Sequence, residues 1–204
     1  MMLVEKKIKQ IPLLAVTLIL ALGILNLLLI RQNFSLRRQL SAAGKIEASG
    51  NFLKPGEVMT VPITGTDLKG QPYQMHYGKD SKQHLLLFFS PSCPYCIQQG
   101  PIWADLLNLI DSSRFEVVGI VGDKEDKQKV ANHANVMGYF KTRLVLPIVS
   151  VNDETLARYR LTATPTTLLI DNSGTVEHVW VGKWTQSKID EVAAAVHIKL
   201  DLTH

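Results

Sequence analysis

The feature that most constrains the fold is an apolar run that leads straight into two closely spaced cysteines. Residues 84–90 read HLLLFFS, a continuous apolar stretch typical of a strand buried on both faces of a sheet. Cys93 and Cys96 follow at once, and apolar residues then recur at helical spacing as far as Ile110. The pattern predicts a central strand that turns directly into a helix, with a C-x-x-C motif at the turn.

The spacing of the two cysteines has a chemical meaning at such a turn. Cys93 would lie at the start of the helix, where unpaired N–H groups and the helix dipole stabilise a thiolate. Cys96 would lie one turn further on, close enough to form a disulfide with it. Pro94 suits the first helical position, where its missing N–H removes no hydrogen bond. Thiol–disulfide exchange needs one accessible and one sheltered sulfur, so we predict that Cys93 and Cys96 are catalytic.

The cysteine content argues against most other uses of the pair. The chain has only two cysteines, whereas a disulfide framework needs more of them at wider spacing. A closed zinc site needs four ligands, and the six histidines form no pair at ligand spacing. We therefore predict no metal site and no cofactor. Half of a metal site, or two cysteines that merely pack in the core, remain alternatives for the motif alone.

The remainder of the chain alternates short apolar runs with helical patterns. This alternation, ending in a hairpin, predicts an α/β domain with a mixed sheet flanked by helices. Its predicted strands are 58–63, 70–77, 84–90, 116–121, 145–151, 166–170 and 176–181. Its predicted helices are the one that follows Cys93, then 123–140, 154–159 and 187–200.

An uncharged apolar segment precedes this domain. Residues 11–30 would span about 30 Å as a helix, the thickness of a bilayer core. The run is longer than the apolar region of a cleaved signal peptide, so we predict an uncleaved transmembrane signal anchor. Residues 1–10 would then form a cytoplasmic tail, residues 31–55 a linker and residues 56–204 the folded domain.

Charge leaves the orientation of this anchor open and argues against one class of partner. Three lysines before the apolar segment balance three arginines after it, so we infer the orientation from the short tail and the large following domain. The domain would face the extracytoplasmic side, the periplasm in a Gram-negative cell, on a single-pass inner-membrane anchor. Residues 51–204 carry 15 Lys and Arg against 16 Asp and Glu, which gives no basic stripe for nucleic acid.

A second motif supports the redox interpretation. Thr164-Pro165 immediately precedes the apolar strand 166–170. With the C-x-x-C motif, with Pro101 five residues after Cys96, and with Val181-Gly182 after the last strand, this resembles the thioredoxin superfamily. The resemblance implies that Pro165 is cis and faces the cysteines.

The length of the chain points to one branch of that superfamily. Cys93 and Pro165 are 72 residues apart, which leaves room for an inserted helix and strand over roughly 123–151. With the leading hairpin and the anchor, the chain is similar to the TlpA/ResA-type extracytoplasmic oxidoreductases. The resemblance implies protein thiol or disulfide substrates and a membrane or periplasmic redox partner. We assign Thr164, Pro165, Pro94 and Tyr95 to substrate binding.

The sequence departs from the pattern of the superfamily at one informative place. Thioredoxins carry a buried Asp six residues before the first cysteine, where this chain has Leu87. The group that would assist Cys96 is therefore unassigned.

Two rival functions use the same fold. A peroxiredoxin-like peroxidase needs a Thr or Ser three residues before its cysteine, as at Ser90, and a Pro four further back, where Leu86 stands. A non-enzymatic copper-delivery module would need a wider cysteine spacing and an accompanying His.

Overall fold

The computed structural model describes residues 51–79 and 81–200, together with residues 22–23, 25–26 and 31–32. Contacts along the chain divide it into two units after Gly50. Most of the predicted anchor at 11–30 and of the linker lies outside the described residues. Within the described part of the chain, no helix has both the length and the apolar character needed to cross a bilayer.

The strands of residues 51–200 form one mixed sheet in the order β2-β1-β5-β4-β3-β6-β7. Strand β3 pairs in parallel with β4, and β4 with β5, while the other neighbours pair antiparallel. The strands are β1 (Ile63–Asp67), β2 (Pro72–Met75), β3 (Gln83–Phe88), β4 (Phe115–Gly122), β5 (Ile148–Val151), β6 (Thr166–Ile170) and β7 (Val176–Val181).

The helices of this domain begin at side-chain or proline caps. The Asp126 side chain accepts a hydrogen bond from the backbone N–H of Lys129, and Asn152 caps the next helix through the N–H of Thr155. These bonds satisfy N–H groups that have no partner within a helix. The helices are α1 (Pro94–Leu109), α2 (Lys127–Val136), α3 (Asp153–Arg158) and α4 (Gln186–Ala195).

Alternation along the strands separates two cores on the two faces of the sheet. On β3, Leu85 and Leu87 point to the face covered by α1, and Leu86 and Phe88 to the other. We call the first the α1-side core; it also contains Phe89, Cys96, Trp103, Ala134, Tyr139, Trp184 and Val192. The second, the opposite core, contains Val118, Ile120, Tyr159, Leu161 and Leu168.

The predicted α/β, thioredoxin-like fold is confirmed, with its leading hairpin and an inserted helix and strand, α2 and β5. The first arm of the hairpin was wrongly placed at 58–63, because β1 spans Ile63–Asp67. The apolar segment before it runs instead beside the start of β7, with a bridge between Val58 and Thr175. Gly65 makes the observed pairing possible, because a Cβ there would collide with the Ser150 backbone of β5.

The closing helix is also shorter than predicted. It ends at Ala195 rather than Leu200, because His197 adopts a left-handed backbone with φ 57°. The N–H groups of His197 and Ile198 then bond the carbonyls of Ala194 and Ala193, which is the Schellman pattern of a helix end.

Candidate active site

Cys93 is the N-cap residue of α1, and Pro94 follows as its first helical residue. The Cys93 carbonyl accepts hydrogen bonds from the N–H groups of Cys96 at 3.1 Å and Ile97 at 3.2 Å. The first turn of α1 carries no acidic residue. The positive end of the helix dipole is therefore directed at Cys93 without a competing negative charge.

The loop before β6 lies against Cys93. The Thr164–Pro165 peptide bond is cis, the isomer that the resemblance to thioredoxins implies. The Cys93 Sγ lies 3.4 Å from the Thr164 carbonyl oxygen. The Pro165 carbonyl accepts a hydrogen bond from the N–H of Gly182 at 2.7 Å, which fixes the loop to the end of β7.

The Cys93 thiol is prepared to ionise. Partial burial alone would raise its pKa, but hydrogen bonds from the Thr164 side chain, from Cys96 and from the Tyr95 backbone outweigh that effect. The net result is a pKa below the ordinary 9.0 of a cysteine. Since the thiolate is the nucleophile, Cys93 is the more reactive of the two sulfurs near neutral pH.

Cys96 has the reverse environment. It is completely buried in the α1-side core, and burial is the largest of the influences that raise the pKa of its thiol to about 12. The nearby Cys93 raises it further, while a backbone hydrogen bond from Ser90 opposes the shift. Both cysteines are free thiols, so the structure shows a reduced pair with one sulfur activated and one held protonated.

The other predicted site residues surround this pair. Pro94 and Tyr95 are exposed beside Cys93, and Thr164, joined to Pro165 by the cis bond, contacts its sulfur. Pro101 lies inside α1. Every residue predicted for the site therefore lies at one end of the sheet, around the start of α1.

Two residues near the cysteines were missed in the sequence. The buried Gln99 side chain accepts a hydrogen bond from the Trp184 N–H at 2.8 Å, which ties α1 to the loop after β7. Tyr139 is fully buried in the same core as Cys96. Its only sequence signal is the preceding Gly138, which predicts a turn but not the direction of the next side chain.

The surroundings bear on the alternative chemistries. Among the described residues, no group of three or more His, Cys, Asp and Glu side chains could hold a metal ion. The Ser90 and Ser92 hydroxyl oxygens are 2.9 Å apart. The Ser90 hydroxyl is therefore engaged with its neighbour, whereas the peroxidase alternative places a Ser or Thr at this position to serve the cysteine.

Comparisons with known proteins agree with this geometry. The AhpC/TSA family matches residues 58–179 of the chain, a range that includes both cysteines and the cis-proline loop. A comparison with curated proteins finds no match.

Solved structures of similar fold come from several bacteria. The thioredoxin domain of a thiol-disulfide oxidoreductase from Bacteroides vulgatus is 20% identical, with a TM-score of 0.57 over 71% of this chain and 99% of that one. A thiol:disulfide interchange protein from Chlorobium tepidum is 22% identical, with a TM-score of 0.52 over 71% and 97% of the two chains. A thiol-disulfide isomerase from Corynebacterium glutamicum is 18% identical, with a TM-score of 0.51 over 74% and 100%. At these identities the likeness establishes a thioredoxin fold.

Proposed function

The chain belongs to the AhpC/TSA family, within the thioredoxin superfamily, and from that premise we propose that it exchanges disulfides with protein substrates through Cys93 and Cys96. The observation that carries this proposal is the contrast between the two sulfurs. Cys93 is partly exposed with a lowered pKa, and Cys96 is buried with a pKa raised to about 12. Thiol–disulfide exchange requires this division between a nucleophile and a reserve thiol.

The first step is an attack by the Cys93 thiolate on a substrate disulfide. A bond forms between Cys93 Sγ and one substrate sulfur, and the bond between the two substrate sulfurs breaks. The second substrate sulfur leaves as a thiolate and takes a proton from solvent. The dipole of α1 and the hydrogen bond from Thr164 stabilise the Cys93 thiolate before the attack.

The second step releases the substrate. Cys96 loses its proton and attacks Cys93 Sγ in the mixed disulfide, which forms the Cys93–Cys96 disulfide and expels the first substrate sulfur as a thiol. The substrate disulfide has then been reduced by two electrons, and the enzyme dithiol has been oxidised. The same steps in reverse oxidise a substrate dithiol, so the direction depends on the redox partner.

Substrate would be held on the surface around Cys93. Tyr95 is 59% exposed and offers an aromatic side chain beside the nucleophile, next to the exposed ring of Pro94. The backbone of Thr164, on the loop held by cis-Pro165, would pair with an extended segment of substrate, as in strand addition to a sheet edge.

We place this reaction outside the cytoplasm, on a single-pass anchor formed by residues 11–30. The support is the length and the uncharged composition of that segment. A membrane or periplasmic redox partner would return the pair to its working state. Single cysteines introduced at position 2 or 50 of a Cys93→Ser/Cys96→Ser chain and labelled with a membrane-impermeant maleimide test this: position 50 alone should react in intact spheroplasts. Labelling of position 2 alone would reverse the orientation, and equal labelling of both would exclude a span between them.

The proposed activity is tested by trapping. In Cys96→Ser the second step cannot occur, so Cys93-linked substrates should accumulate and should be released by dithiothreitol. Cys93→Ser is the matched control, because it retains one cysteine and should trap nothing. If Cys96→Ser captured neither cellular proteins nor a model peptide disulfide, the proposal would be wrong. Peroxide consumption by the wild-type chain without disulfide exchange would instead favour the peroxidase alternative.

A further inference from the structure

The α1-side core contains a buried hydroxyl that the fold does not use. The side chain of Tyr139 is fully buried, and its OH has no hydrogen-bond partner among the described residues. Proteins rarely bury a hydroxyl without a partner, because the group loses its bonds to water and gains nothing in return. The unpaired Tyr139 OH therefore requires an explanation.

The chain directs this side chain inward by a specific turn. Helix α2 ends with the N–H of Gly138 bonded to the Asn135 carbonyl and the N–H of Tyr139 bonded to the Ala134 carbonyl. This is a Schellman motif, and Gly138 supplies the left-handed residue that it needs, with φ 76°. The motif places Tyr139 against Ala134 in the α1-side core. The inserted segment thus delivers a phenol to the core that contains Cys96.

The ring of Tyr139 is held beside the elements that carry the active site. Its centroid lies 6.2 Å from that of Phe89, which follows β3, and 6.5 Å from that of Trp103 on α1. Burial raises the pKa of the Tyr139 hydroxyl, and the charge of Cys96 raises it further. The hydroxyl therefore keeps its proton near neutral pH and is close enough to respond electrostatically to Cys96.

Hydrogen bonds from the Ser90 backbone and the Thr164 side chain lower the pKa of Cys96 but do not offset its burial. Further donors on the α1 side without a partner among the described residues are Gln99 Nε2, Trp103 Nε1 and Thr167 Oγ1. Of the donors on this side, Tyr139 is the one whose hydroxyl is coupled to the charge of Cys96.

Strand β3 presents the apolar Leu87 to the core that contains Cys96. Cys93 lies on its exposed side, and a thiolate there would repel a second one. His133 of α2 packs behind Tyr139 with the ring centroids 6.0 Å apart, and burial lowers the pKa of His133, so it is neutral. Asp105 lies more than two turns further along α1.

We propose that the Tyr139 hydroxyl donates a hydrogen bond to the Cys96 thiolate and so speeds the resolving step, a role that rests on the proposed disulfide exchange. Cys96 gives its proton to a solvent base, and Tyr139 keeps its own proton. The Tyr139 OH makes no hydrogen bond with the described residues in the resting structure, so its side chain shifts toward the sulfur as the thiolate forms. The thiolate then attacks Cys93 Sγ in the mixed disulfide, and the expelled substrate thiolate takes a proton from solvent. Capture by Cys93 does not involve Tyr139, because α1 and Thr164 stabilise that thiolate.

The two steps can be timed separately with a chromogenic aryl disulfide added to the reduced full-length protein in detergent. Attack by Cys93 releases one coloured aryl thiolate, and attack by Cys96 on the resulting mixed disulfide releases the second. We expect Tyr139→Phe to leave the first phase unchanged. The second phase should slow about tenfold at pH 7, with its pH profile moved upward by about one unit, since a hydrogen bond to a charged group is worth about that much.

Tyr159→Phe is the matched control, because Tyr159 is equally buried but belongs to the opposite core. It should change neither phase. A ring-fluorinated tyrosine at position 139, which keeps the shape and makes the O–H a stronger donor, should accelerate the second phase. It also provides the test if Tyr139→Phe does not fold.

The outcomes separate this inference from the proposed function. An unchanged second phase in Tyr139→Phe or in the fluorinated protein, or an equal slowing of both phases, would overturn the role of Tyr139 and leave disulfide exchange intact. Absence of both phases from the wild-type protein would instead refute disulfide exchange itself.

Discussion

On the sheet face opposite α1 the buried and half-buried polar side chains are joined to one another, whereas on the α1 face several buried ones are not. In the opposite core, Glu116 accepts a hydrogen bond from Tyr73 at 2.9 Å and lies 3.0 Å from His84. Tyr159 donates to the Val61 carbonyl and lies 2.8 Å from the Tyr77 hydroxyl. In the part of the α1 side that the structure describes, these atoms have no partner: Gln99 Nε2, Trp103 Nε1, His133 Nε2, Tyr139 OH and Thr167 Oγ1.

The difference separates polar groups that serve stability from those available for chemistry. A buried network whose members are all bonded helps to specify a single packing. A buried donor without a partner stabilises nothing in the resting state. The α1 side is the face that contains Cys96, so the unpaired donors lie where a charge must form during the reaction. Four predictions test this contrast.

The largest effect is expected for the two thiols themselves. The pKa of Cys96 is about 12, and that of Cys93 is below 9.0. At pH 7 the thiolate fraction of Cys93 should therefore exceed that of Cys96 by about a thousandfold or more. Iodoacetamide should accordingly label Cys93 alone in the folded protein, as measured by mass spectrometry of peptides. Comparable labelling of both cysteines would show that the α1 side does not keep Cys96 neutral.

The next effect concerns the network of the opposite core. Glu116→Ala removes the partner of both His84 and Tyr73 and should lower the free energy of unfolding by about 2 kcal/mol, since the buried His84 is left without this partner. Urea unfolding measures this. Glu154→Ala is the control, because its exposed pair with Arg158 within α3 should contribute no more than about 0.5 kcal/mol. If both substitutions lowered the free energy of unfolding equally, the Glu116 network would contribute no more to stability than an exposed ion pair.

Acid should act on the same network. The hydrogen bond from His84 is the largest of the influences that lower the pKa of Glu116 from its ordinary 4.5. A carboxyl with a lowered folded pKa stabilises the fold fully above its unfolded pKa, and this stabilisation is lost as the pH falls through the folded value. The gap in unfolding free energy between wild type and Glu116→Ala should therefore be constant above about pH 5 and should shrink below pH 4.5. A gap in unfolding free energy that widened as the pH fell would contradict a lowered pKa for Glu116.

The smallest effect is a direct comparison of two buried tyrosines. Tyr159→Phe should reduce the free energy of unfolding by about 1 kcal/mol, because the Tyr77 hydroxyl and the Val61 carbonyl each lose a partner. Tyr139→Phe should change it by less than about 0.5 kcal/mol in either direction, because no partner is lost. Thermal or urea unfolding of both variants measures these changes. A larger loss for Tyr139→Phe would mean that its hydroxyl is bonded in the resting protein.

Local patterns were sufficient for much of the fold. Strands β6 and β7 have the bounds that their apolar runs predict, and β3 leads into α1 through the cysteines as expected. These elements are defined by residues that are neighbours in sequence, so periodicity and turn residues determine them.

Elements that depend on distant contacts were harder to predict. Strand β1 is polar over residues 64–67 and is held by pairing with β2 and β5, which its own pattern does not reveal. The left-handed backbone of His197, which shortens α4, has no glycine to indicate it. The position of Tyr139 in the core that contains Cys96 likewise depends on how α2 packs against the sheet. The anchor at 11–30 and the roles of the site residues remain predictions.

The turn at Gly138 has a consequence for the lifetime of the covalent adduct between enzyme and substrate. How long that adduct persists depends on the rate at which Cys96 resolves it, and through Tyr139 that rate depends on a single backbone position in the insert. Chains with the same C-x-x-C motif but another residue at this turn would capture substrates equally fast and release them on a different timescale. The insert would thereby set how long each client stays attached, independently of which clients are recognised.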